Sequence, residues 1–440
     1  MSAVKPPAEG CPGAQGTDAG AAPGACTEAC DVAMVGGGPV GLALACALAD
    51  GLGTGARIAV IDRAFGGTAV PPTRDPRASA LSAGSKRLLD VIGVWEALAP
   101  HAQPVAAVDI TDSSLGDAFR PVLISYDNSV EAGEPATYIL ENDRLRTALS
   151  EAVARRGGTI ACIAGELAGW EARDGFGLVR LGDGRTFSAS LAVAADGRSS
   201  ALRRAAGISV IDWRYGQVGI VAMVRHEKPH QARAVQHFLP AGPFAILPLR
   251  DDGTGHRSCI TWTEEESWGR ALVQLDDAAF LKEVETRFGY RLGRIELAGS
   301  RGAWPLGLHL ARALVADRLA LAGDAAHLVH PIAGQGLNLG FRDVAALAEV
   351  VVDAARLGLD IGSGIVLERY TRWRRTDATM SAVTFDALNR LFSNDWTLMR
   401  TARDAGLRLV DGMPGLKQFL VAEAAGLTGE VPRLLRGEPV

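Results

Sequence analysis

Residues 32–49 run for eighteen positions without a charged side chain, between Asp31 and Asp50. By length and hydropathy alone such a run could cross a membrane. Its interior argues otherwise. Gly36-Gly37-Gly38 followed by Pro39 breaks any continuous helix. The run therefore divides into a short buried strand (Val32 to Val35), a tight turn, and an apolar helix from Val40 to Asp50, all inside a core. The turn Gly36-Gly37-Gly38-Pro39-Val40-Gly41 fits G-x-G-x-x-G, and a second strand, residues 57–61, leads into Asp62, 21 residues beyond Gly41. That is the spacing of a dinucleotide site. Gly36 permits the turn, Gly38 lets the backbone approach a pyrophosphate, and Gly41 allows close helix–strand packing. Pro39 and Val40 open a helix whose free N–H groups and dipole favour phosphate. Asp62 is placed to accept hydrogen bonds from adenosine ribose hydroxyls.

The rest of the chain can support such a fold. At 440 residues it suits two or three domains. With 48% hydrophobic and 22% charged residues it can bury a large core. The net charge of −5 excludes a basic nucleic-acid footprint spread over the chain. No nucleic-acid partner is expected. Six cysteines include no C-x-x-C pair, and Cys26 and Cys30 have no His or second pair nearby. Neither a metal site nor a secreted disulfide framework is signalled. Residues 1–30 are Gly-, Ala- and Pro-rich and read as a disordered tail, with no apolar segment of a secretory signal and no Arg of a transit peptide.

Two later motifs decide between NAD and FAD. Asp196-Gly197 closes an apolar strand (Leu191 to Ala195), and Gly323-Asp324 closes another after Arg318-Leu319-Ala320-Leu321-Ala322. With the glycine turn, this order of motifs resembles the flavin-dependent aromatic monooxygenases of the para-hydroxybenzoate hydroxylase type. The segment His330-Pro331-Ile332-Ala333-Gly334-Gln335-Gly336-Leu337-Asn338-Leu339-Gly340-Phe341-Arg342-Asp343 is similar to the signature of the ubiquinone-biosynthesis hydroxylases, the UbiH, UbiF and VisC branch. Asp75-Pro76-Arg77, Gly242-Pro243 and Leu367-Glu368-Arg369-Tyr370 match the same branch, and the resemblance runs from about residue 31 to 430.

The resemblance implies an α/β fold: a Rossmann-like FAD-binding domain with an inserted α+β substrate domain (mixed sheet) and a helical C-terminal region. The expected divisions are tail 1–30, FAD-binding segments 31–100, 141–215 and 306–356, substrate-domain segments 101–140 and 216–305, and a helical region 357–440. It implies FAD as cofactor and O2 as co-substrate. NADPH, NADH and a ferredoxin-type relay remain open as electron donor. The reaction implied is hydroxylation of the aromatic ring of a polyprenylated phenol through a C4a-hydroperoxyflavin. Asp324 is expected against the ribityl or pyrophosphate hydroxyls, although an Asp there could simply cap a helix. Asp196 is expected to hold a loop near FAD, although Asp-Gly also reads as a plain turn. Arg77 and Asn142 are carried over as cofactor contacts. Gly334, Gln335, Gly336, Leu337 and Asn338 would place flavin against a helix N-terminus, and Pro331 would offer its carbonyl to the phenol. His327 and His330 are expected to pack or support. Gln236, His237 and Phe238 are candidate ring contacts.

A lipid-like substrate implies contact with a membrane surface. Phe385, Leu388, Phe392, Trp396 and Met399 recur at helical spacing and offer an apolar stripe that is either core, subunit contact or membrane contact. The expected location is the cytoplasm, peripheral on the inner membrane, in a quinone-biosynthesis complex. Two other readings stay open: a soluble aromatic hydroxylase of catabolism or antibiotic tailoring, and a non-catalytic flavoprotein scaffold.

Overall fold

The computed structural model describes residues 27–66, 75–112, 115, 121–130, 133–331, 334–392 and 413–440. Its centre is an eight-stranded sheet with the order Val315–Ala316, Leu319–Leu321, Thr186–Ala194, Thr27–Val35, Ile58–Asp62, Ile160–Ala164, the last five parallel. An antiparallel hairpin, Leu167–Arg173 and Phe176–Leu181, extends Thr186–Ala194. The first strand starts at Thr27, four residues inside the expected tail, because Thr27 to Cys30 pair with Thr186 to Ala189.

Helix Pro39–Leu52 is buried from Gly41 to Ala49, which accounts for a segment apolar on every side. It packs on helix Gly336–Arg356, and the contact needs small residues: a Cβ at Gly340 would come within 2.6 Å of Val40. Two short helices follow, Ala83–Val91 and Trp95–Leu98, parted at Gly93, whose φ is +67°.

A second eight-stranded sheet is mixed, in the order His327–Leu328, Ile295–Ala311, Val210–His226, His256–Glu265, Gly242–Leu249, Arg233–Leu239, Ala107–Asp112, Ile124–Asp127. Only Arg233–Leu239 and Ala107–Asp112 run parallel. Helices Glu266–Leu272 and Asp277–Phe288, hidden in a stretch that reads as strand-rich, cover its outer face through Leu272, Phe280, Val284 and Phe288. Its inner face meets a three-stranded sheet, Ala78–Ser82, Thr137–Glu141 and Gln103–Pro104. The C-terminal region is helical: Gly364–Phe392, Pro414–Ala424 and Arg433–Arg436. No described helix is long and apolar enough to cross a membrane.

Candidate active site

Four of the expected site segments sit at the carboxyl ends of neighbouring parallel strands. Gly36 follows Thr27–Val35, Asp62 ends Ile58–Asp62, Asp196 follows Thr186–Ala194, and Gly323-Asp324 follows Leu319–Leu321. The chain crosses from one side of Thr27–Val35 to the other at this edge, so a crevice opens there by topology.

The glycine turn is shaped by contact on one side and left open on the other. Gly36 has φ +115°, and a Cβ on it would lie 2.2 Å from Ala195 O. A Cβ on Gly41 would lie 2.0 Å from Gly36 O. At Gly38 a Cβ would meet nothing within 4 Å, and the same is true at Gly336. These two open positions are at the N-terminal ends of helices Pro39–Leu52 and Gly336–Arg356. Asp62 reaches back to the turn: its Oδ2 accepts from Gly37 N–H at 2.7 Å and its Oδ1 from Ala64 N–H at 2.8 Å.

Asp324 does not cap a helix and accepts no hydrogen bond among the described residues. Its side chain is exposed. Desolvation by the neighbouring protein nonetheless pushes the carboxyl above its usual range, and nearby His327, Arg77 and Arg198 offset it only in part. Asp196 Oδ2 accepts from Ala201 N–H at 2.7 Å, while its buried Oδ1 has no partner among the described residues.

Arg77 and Asn142 come together with Pro39 in one recess of about 330 Å³, also lined by Asp75, Pro76, Arg146 and Trp304. Asp75 organises it. Arg77 Nε donates to Asp75 at 2.8 Å and Asn142 Nδ2 at 3.2 Å, while Ser79 donates to Asn142 Oδ1 at 2.7 Å. The Arg77 guanidinium also stacks on Trp304 at 5.2 Å. Nothing in the sequence pattern marks Trp304.

The Gly334 loop abuts strand Ala78–Ser82. Gly334 has φ +66°, and its Cβ would be 2.9 Å from Ala80 Cβ. Pro331 O already accepts from Gly334 N–H at 3.0 Å, which leaves one lone pair for a ligand. Asn338 departs from expectation. Its side chain accepts from Ser82 N–H (3.0 Å) and Ser85 Oγ (2.8 Å), and donates to Ala80 O (2.8 Å) and Gln335 Oε1 (3.3 Å). It is spent bolting the helix to the strand, and Gln335 also reaches Ala424 O at 3.4 Å. The Leu337 side chain packs against the core. What this loop offers a ligand is backbone.

His327 Nε2 lies 2.7 Å from Asp343 Oδ2. His330 is buried edge-on against Tyr215, ring centroids 5.5 Å apart, and burial pushes it down to about 4, so it is neutral. Strand alternation puts Gln236 and Phe238 on the sheet face that carries Ala234, Val221 and Met223, toward Ala80 and the Gly334 loop. His237 faces the other way, with Nδ1 2.6 Å from Thr111 Oγ1. Of the three candidate ring contacts it is the one the fold removes. The side chains of Phe385, Leu388 and Phe392, and all of Trp396 and Met399, lie outside the described residues.

These groups fit FAD: the open N-terminus of helix Pro39–Leu52 suits a pyrophosphate, that of helix Gly336–Arg356 suits negative charge on a flavin ring, and unpartnered Asp324 and Asp196 oxygens suit hydroxyl donors.

The family model described as FAD binding domain matches residues 29–380. Ubiquinone hydroxylase UbiL of Rhodospirillum rubrum is 42% identical over 421 residues, covering 95% of each chain. The 3-demethoxyubiquinol 3-hydroxylase of Escherichia coli is 33% identical, over 90% of this chain and 98% of that one. Among solved structures, p-nitrophenol 4-monooxygenase PnpA of Pseudomonas putida superposes with a TM-score of 0.74 at 19% identity, covering 92% of this chain and 100% of that one. That last likeness is one of fold.

Proposed function

The chain belongs to the FAD-dependent hydroxylases of ubiquinone biosynthesis, and on that premise we propose that it hydroxylates the ring of a polyprenylated phenol. The observation that carries the reading is the convergence, at one strand edge, of two open helix N-termini and the unbonded Asp324 carboxylate. FAD bound there supplies oxygen activation and transfer, drawing on O2 and a reduced nicotinamide or relay donor.

The protein's own groups bind and orient. Gly36 to Gly41 present N–H groups to the pyrophosphate, Asp62 takes the adenosine ribose, and Asp324 the ribityl hydroxyls. Arg77 and Asn142 close the recess beside Pro39. The backbone from Gly334 to Leu337 would hold the flavin, and the dipole of helix Gly336–Arg356 would favour negative charge on it. The free lone pair of Pro331 O receives the phenol hydroxyl. The sheet face bearing Gln236 and Phe238 covers the ring and keeps water out, which limits wasteful loss of oxidising equivalents.

The test has two readouts. Purified protein should carry a flavin absorbance, and a deletion strain should accumulate one unhydroxylated quinone precursor that the wild-type gene clears. Protein that takes up no flavin, or a strain with an unaltered quinone profile, would sink the proposal.

A prenylated substrate dwells in a bilayer, so we place the enzyme at the membrane surface in the cell interior. Met380 and Val383 support this: they project from helix Gly364–Phe392 with 59% and 58% exposure, an uncommon state for large apolar side chains one turn apart. Wild-type protein should float with anionic liposomes, and a Met380→Asp/Val383→Asp variant should stay in solution. Equal partitioning of the two would remove this helix from the membrane.

A further inference from the structure

Asp343, the last position of the signature segment, does not face the cleft. It lies within helix Gly336–Arg356 with no exposure. Its two oxygens serve different parts of the chain. Oδ2 accepts from Gly323 N–H at 2.9 Å and lies 2.7 Å from His327 Nε2. Oδ1 accepts from Arg374 Nε at 2.7 Å. Arg374, itself 3% exposed, comes from helix Gly364–Phe392 and also pairs with Asp377, which pairs in turn with Arg342 at 2.8 Å.

A buried carboxylate is expensive unless each oxygen is satisfied. Burial pushes the Asp343 carboxyl up, but His327 and Arg374 outweigh this and hold it below the usual range, so it is ionised. The donor it holds is the decisive one. Gly323 sits at φ +63°, 3.1 Å in Cβ terms from Val40, and the turn Gly323–Ala325 has no side-chain cap of its own. Asp343 thus fixes the N–H immediately before Asp324, whose exposed carboxylate accepts no hydrogen bond among the described residues.

We propose that Asp343, anchored by Arg374, is a positioning residue for FAD: it sets the Gly323–Asp324 turn without touching the cofactor, and so makes the C-terminal helix part of the cofactor site. The role presupposes FAD in this cleft and goes beyond the reaction assigned above.

Two variants of the full chain separate positioning from general support of the core. Asp343→Asn leaves one acceptor oxygen where Gly323 and Arg374 need two. Asp343→Leu/Arg374→Met removes both charges, a change that buried pairs often tolerate with little loss of stability. The melting temperature of the apo-protein and the FAD dissociation constant, from flavin fluorescence quenching, are read for each. The expected result is about tenfold or greater weakening of FAD binding in both variants. The double variant should recover the apo melting temperature that Asp343→Asn loses, but not the affinity. Unchanged affinity in Asp343→Asn overturns the proposal, as does a double variant that regains affinity together with stability. If both variants fail to fold, Asp343 supports the core rather than the turn, and the proposal also falls. A wild-type apo-protein that binds no FAD would instead refute the cofactor assignment.

Discussion

Gly38→Leu should fold normally and bind FAD on the order of a hundredfold more weakly, or worse. Gly38 has φ −78° and ψ 178°, extended backbone open to any residue, and a Cβ there meets nothing within 4 Å. The fold therefore makes no demand for glycine at this position. The demand comes from what must lie in front of it. A leucine side chain would fill the space before the first N–H groups of helix Pro39–Leu52 and keep a pyrophosphate out of their reach. Losing that anion site outright should weaken binding by on the order of a hundredfold or more, about 3 kcal/mol. Gly41→Leu is the contrasting case. Its Cβ would lie 2.0 Å from Gly36 O, so it should fail by unfolding. Thermal melting of the two apo-proteins, followed by FAD titration of the Gly38 variant, separates the effects. FAD binding to Gly38→Leu at wild-type strength would show that the phosphates lie elsewhere.

Asp324→Asn should move stability and affinity in opposite directions. The Asp324 carboxyl is raised above its unfolded-state value because desolvation by the neighbouring protein disfavours its charge. A folded state that holds its proton more tightly than the unfolded state is stabilised at low pH and loses that advantage as pH rises through the raised pKa. At neutral pH the charged carboxylate is thus a burden on the apo-protein. Its amide replacement should melt higher at pH 7, with the difference shrinking toward pH 4. The same replacement removes a charged acceptor from the ribityl hydroxyls and should cost roughly tenfold to a hundredfold in FAD affinity. A variant that gains no stability, or that binds FAD as tightly as wild type, would show that Asp324 does not face the cofactor.

Much of this site could be read from the chain alone, for a specific reason. The G-x-G-x-x-G turn, Asp62, Asp196 and Gly323-Asp324 are backbone requirements at strand ends, and spacing reports backbone directly. The helix beginning at Gly336 follows from the same logic. Side-chain direction is another matter. Asn338 falls in the right segment, but a buried amide takes whichever partners are nearest, and these are Ser82, Ser85 and Ala80, some 250 residues earlier. The Asp343–Arg374 pair joins two helices whose packing no local pattern announces, although Arg374 lies one turn beyond Tyr370, within the matching C-terminal stretch. The helices over the outer sheet face were masked by the strand-like apolar runs around them, yet Asp276 caps one of them at 2.8 Å to Ala279 N–H. Trp304 has no precursor in the pattern at all.

The dispersal of the cofactor cradle along the chain has a consequence for biosynthesis. Its glycine turn is near the start, the Asp196 loop near the middle, and the Gly323 turn and Gly336 helix come more than 280 residues after the first glycine. A ribosome-bound nascent chain that has emerged only as far as Ala194 holds one helix N-terminus and no Asp324. Contacts so distant in sequence close late, since the intervening loop must be ordered first. The complete cradle can therefore form only after the residues beyond Gly336 have been made. A shortage of flavin should leave a folded apo-protein of lower melting temperature, because bound FAD stabilises the folded state by mass action.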